Sequence, residues 1–116
     1  MHYLTKIVFS FFLLLTSLAY AGAGHNHGHG HGHAPVSKAV AEEIAINSVN
    51  KLVQRESIEK SWASVPVNSA EQKEFEGRKE WVIVFKNEKV SNPKEQTLYI
   101  FLTLDGQYIA ANYTGD

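Results

Sequence analysis

Five histidines stand at alternate positions near the start of the chain: His25, His27, His29, His31 and His33, with Asn26, Gly28, Gly30 and Gly32 between them. Neutral imidazole nitrogen is a ligand for borderline transition metals, and a bound ion needs several nitrogens at roughly 2.0–2.1 Å. On an extended strand, residues two apart lie roughly 6.5 Å apart, too far to share an ion. The intervening glycines let the backbone bend tightly, so two to four of the five imidazoles are free to converge. The ligand type suits Zn, Ni and Cu(II) without choosing among them. Ordering the segment opposes binding, so moderate affinity and interchangeable ligand sets are expected. Protons compete for imidazole below about pH 6, and affinity should fade there. The plain alternative is a solvated spacer.

The segment that carries these histidines follows an export signal. Lys6 is the only charge in residues 1–21, Ile7 to Leu18 is a largely apolar run, and Ala19-Tyr20-Ala21 has the small-x-small form of a cleavage site. An apolar run of about a dozen residues is short against the roughly 20 that span a bilayer. We therefore read 1–21 as a signal peptide, 22–35 as a disordered His/Gly-rich segment, and 36–116 as one small domain. The expected location is periplasmic or secreted, with no membrane attachment after cleavage. Cleavage after Ala21 puts His25 fourth from the new amine. An amine-plus-third-histidine Cu(II)/Ni(II) site is therefore not claimed.

Composition narrows the function further. The chain has 116 residues and a net charge of −1, so no electrostatic pull toward nucleic acid is expected. Cysteine is absent and the single methionine is Met1, which excludes disulfides, thiolate ligands and thioether ligands in the mature chain. Residues 34–116 contain no histidine, which removes the commonest general base, and no nucleophile elbow or phosphate-cradling loop is present. A non-enzyme without an organic cofactor is expected. Glu71, Glu74, Glu76 and Glu80 read as a solvated edge. Asn112-Tyr113-Thr114 matches a glycosylation sequon.

The domain must then be built from a helix and strands. Ser37 is a candidate N-cap for a helix reaching Gln54, with Val40, Ile44, Val49, Leu52 and Val53 as its apolar stripe. A short turn is expected over Ser57 to Trp62, and a connector over Ser64 to Ser69. Glu80 to Lys86 and Thr97 to Leu104 alternate as strands, and Asp105-Gly106 signals a hairpin into Tyr108 to Thr114. Gln72 to Glu76 is a weaker first strand. A two-residue turn would set Leu102 against Ile109, Ile100 against Ala111 and Tyr99 against Asn112. A three-residue turn with a bulge at Gly106 would shift that register. The fold expected is α+β: one main N-terminal helix on a three- to four-stranded antiparallel sheet, covering its Leu98, Ile100, Leu102 and Ile109 face. Tyr99, Phe101 and Tyr108 fall on the opposite face and form a candidate partner-binding surface.

Ser61-Trp62-Ala63, Glu80 to Phe85, Gln96 to Phe101 and Gly106 to Gly115, together with the His-Gly head, carry a resemblance over nearly all of the mature chain. The sequence resembles a functionally uncharacterised family of small exported bacterial proteins, which implies fold and location but brings no activity. More weakly, the helix and final hairpin are similar to PepSY-type domains. That similarity implies a non-catalytic module that binds or inhibits another exported protein, and it carries over no catalytic residue. The two functions expected are metal binding through the head, for buffering or delivery, and interaction with another exported protein.

Overall fold

The computed structural model describes residues 34–116, and the expected signal peptide and all five head histidines lie outside the described residues. The described chain forms an α+β fold: one long helix packed on a four-stranded antiparallel meander whose strands, Val67–Phe75 (β1), Arg78–Lys86 (β2), Thr97–Thr103 (β3) and Tyr108–Asn112 (β4), lie side by side in chain order. No helix among the described residues is long and apolar enough to cross a membrane.

Helix α1 spans Lys38–Gln54. Ser37 stays extended and its Oγ accepts the Val40 N–H at 3.1 Å, satisfying one of the donors that a helix start leaves orphaned. The buried stripe is Ala41, Ala45, Ser48, Val49 and Leu52, with Ile44 and Val53 at its margins. Val40, expected in the stripe, is 40% exposed. The stripe is centred on small side chains, because Ala41 and Ala45 let the helix backbone approach the sheet. Ser48 is tolerated there because its Oγ donates to the Ile44 carbonyl at 2.9 Å. At the C-terminus the Glu56 N–H bonds the Val53 carbonyl and the Ser57 N–H bonds the Leu52 carbonyl, the paired closure of a Schellman cap. Glu56 takes the left-handed position usually given to glycine, with φ 60°.

A 3₁₀ turn over Lys60–Ser64 seats Trp62 in the core with 1% of its surface exposed. Strand β1 follows at once over Val67–Phe75 and is longer than the weak strand expected from Gln72. Only Val67, Ala70 and Phe75 are apolar in it, so alternation is hidden by its position at the sheet's edge. Glu76 and Gly77 both have positive φ and make a two-residue type I′ turn into β2, Arg78–Lys86. Trp81, Ile83 and Phe85 of β2 enter the helix-covered core.

Strand β3, Thr97–Thr103, pairs in turn with β4, Tyr108–Asn112. The connecting loop is the three-residue form. The Thr103 carbonyl accepts the Gly106 N–H, and the Thr103 N–H donates to Gln107. Thr103 Oγ1 also donates to Asp105 and accepts the Gln107 N–H at 2.8 Å, which locks the turn. A second irregularity lies at Ile109, so Tyr108 opposes Leu102 while Ala110, Ala111 and Asn112 oppose Phe101, Ile100 and Tyr99. The loop offsets the register by one residue and the bulge cancels it. The pairs expected for Ile100 and Tyr99 therefore hold, and the Leu102–Ile109 pair does not. Tyr108, not Ile109, joins the core face.

Candidate functional site

Chain direction fixes where the head meets the domain. The Val36 N–H donates to the Leu104 carbonyl at 2.9 Å, and the Val36 side chain lies beside Gly106. Only Ala34 and Pro35 separate this anchored residue from His33. The described chain thus starts at the β3–β4 corner of the sheet. Among the described residues no three histidine, cysteine or acidic side chains are grouped to hold a metal ion.

The aromatic surface read from sequence divides. Tyr99 and Phe101 share the sheet face turned away from α1, as the register requires. Phe101 is 5% exposed and meets Phe75 edge-to-face with ring centroids 5.8 Å apart. Tyr99 is half-buried, and Gly115 lies so close that a Cβ there would stand 2.9 Å from the ring. Tyr108 leaves this set, because the three-residue loop sets it opposite Leu102 on the helix side, before the Ile109 bulge restores the register. Its hydroxyl is buried without a hydrogen-bond partner, and burial pushes its pKa far above 10. The Trp81 Nε1 is likewise buried and unpartnered.

Asn112 is 6% exposed, and its Oδ1 accepts the N–H groups of Thr114 at 3.1 Å and Gly115 at 2.8 Å. A folded chain therefore does not offer the sequon to a glycosylating enzyme. Of the acidic run, Glu71, Glu74 and Glu76 are exposed along the β1 edge and its turn, whereas Glu80 is 8% exposed on β2. Burial raises the Glu80 pKa above 4.5, and the nearby Arg78 guanidinium offsets part of that rise.

The loop-rich end of the domain holds features that no motif announced. A groove of about 520 Å³ opens between the end of α1 and the β2–β3 loop, over Ile58, Trp62 and Val90, with Glu56, Glu59 and Glu95 among its lining. Tyr113 reaches the same groove, and burial together with Glu95 and Glu59 pushes its pKa up to about 12. Asn87 ties this end together. Its Nδ2 donates to Ser61 Oγ at 2.9 Å, its Oδ1 accepts the Lys89 N–H at 3.0 Å, and its own N–H bonds Gln96 at 2.8 Å. A lone asparagine before a loop gives no advance sign that it will be a buried hub.

One helix on a four-stranded meander, with an unusual leader and no assembled site in the described part, defines a small α+β domain. The chain matches the model of a family of unknown function (DUF6488) over residues 1–116 and belongs to that family. Neither a curated protein nor a solved structure matches it.

Proposed function

We propose that this is an exported protein that binds divalent transition metals (Zn, Cu(II) or Ni) through His25, His27, His29, His31 and His33, with the domain as its carrier. The observation that carries the reading is the alternation of five imidazoles with glycine and asparagine directly ahead of the anchored Val36. The deciding experiment is calorimetric titration of the full chain, and of a chain lacking residues 25–33, with zinc, nickel and Cu(II) salts. Binding at pH 7.5 is expected for the full chain only, fading below about pH 6 as imidazole protonates. Equal heats from the truncated chain would refute the assignment. The deletion should leave the melting temperature of the domain unchanged.

A second reading is a non-catalytic module that binds another exported protein. The half-buried Tyr99, on the sheet face turned away from α1, favours it, whereas the buried Phe101 offers a partner no surface. It predicts that Tyr99→Ala weakens capture of that partner while deletion of the head does not.

A further inference from the structure

Strand β1 ends the sheet, and Glu71, Gln72, Lys73 and Glu74 in its middle are all exposed. An edge strand presents a row of backbone donors and acceptors to a further strand. The turn shows which ones. In a two-residue type I′ hairpin the flanking residues form a hydrogen-bonded pair, here Phe75 and Arg78. Hydrogen bonding toward β2 then alternates back through Lys73, Glu71 and Ser69. The N–H and C=O groups of Glu74, Gln72 and Ala70 therefore aim outward. The regular stretch runs from Ser69, after the irregularity at Asn68, to Phe75 before the turn, and its centre is Gln72. The other edge, β4, is five residues long and interrupted at Ile109.

We infer that β1 pairs antiparallel with β1 of a second copy of this chain, about a two-fold axis at Gln72. The outward groups admit only registers in which Ala70, Gln72 and Glu74 face one another across the seam. An axis at Glu71 would set that glutamate against itself, and an axis at Lys73 would oppose two lysines. An axis at Ala70 or Glu74 would leave most of the regular stretch unpaired. The axis at Gln72 uses all of Ser69–Phe75 and sets Glu71 against the partner's Lys73, twice. These ion pairs fall at the non-hydrogen-bonded positions, where opposed side chains come closest. About six main-chain hydrogen bonds close the seam, and the two sheets become one.

The test is sedimentation equilibrium of the full chain, with thermal melts read alongside because Lys73 also faces Glu80 within the subunit. A reversible dimer is expected. Lys73→Glu and Glu71→Lys should each weaken it roughly tenfold, and the double reversal should restore it. The chain has no cysteine, so single-cysteine variants report the register directly. Gln72→Cys should form a disulfide-linked dimer in oxidised glutathione. Glu74→Cys should not, because its own copies lie beyond the roughly 7 Å reach of a disulfide. A chain that stays monomeric up to about 1 mM, equal cross-linking by both cysteines, or charge reversals without effect would overturn the pairing. None of these outcomes depends on whether the head binds metal.

Discussion

The hydroxyl of Tyr108 sits in the interior with nothing to bond, and a buried unsatisfied polar group costs roughly 1–3 kcal/mol. Tyr108→Phe removes the group and keeps the ring, so the variant should be about 1 kcal/mol more stable than the wild type in urea melts. The same burial gives an alkaline limit. Tyr108 and Tyr113 are held neutral in the fold above the ordinary value of 10, while the unfolded chain ionises there. The unfolded state then binds fewer protons than the folded one, and stability falls as pH rises beyond 10. In a spectrophotometric titration two tyrosines should ionise late, and Tyr113→Phe should remove the one near pH 12. Glu80 obeys the same sign at acid pH. Its folded pKa is raised, so its contribution is complete below about pH 4.5 and is lost as pH climbs through the raised value. Glu80→Gln should therefore raise the melting temperature at pH 7 and leave it unchanged at pH 4, as calorimetry at the two pH values would show.

At the scale of elements, the legible parts were those with strong periodic patterning. Ser37 capping the helix, the alternation of Thr97 to Thr103 and the Asp105-Gly106 turn all follow from local chemistry. Strand β1 was half-hidden because an edge strand needs no continuous apolar face. Of the helix stripe, Ile44, Val49, Leu52 and Val53 lie on the core side as expected, and only its start differs, because closeness of approach and not residue size decides there: Val40 is large and exposed, Ala41 small and buried. The Ile109 bulge was invisible, since it answers an offset set by the loop rather than any preference of isoleucine. It also makes a sharp prediction. Removing Ile109 leaves Tyr108 facing the core and Ala110 facing away, so every remaining pair is kept. The deletion should cost no more than about 1–2 kcal/mol in a denaturant melt. Deleting Ile100 instead reverses the facing of half a central strand and should abolish the folded state.

Over the whole molecule, the candidate metal ligands cluster within nine residues of sequence whereas the groove residues are scattered, which is why the ligands were legible and the groove was not. The histidines announce themselves by type and spacing. The groove is assembled from Glu56, Glu59, Glu95 and Tyr113, which come from the end of the helix, the following turn, a loop and the C-terminal stretch, and only tertiary structure joins them. Val36 fastens the leader beside Leu104, between β3 and β4, whereas β1 lies across the sheet, two further strands away, at roughly 4.8 Å each. A fluorescent protein or surface tether fused ahead of Ala34 would consequently emerge on the far flank, leaving the β1 border unobstructed. For anyone immobilising the molecule, the amino end is the handle to use.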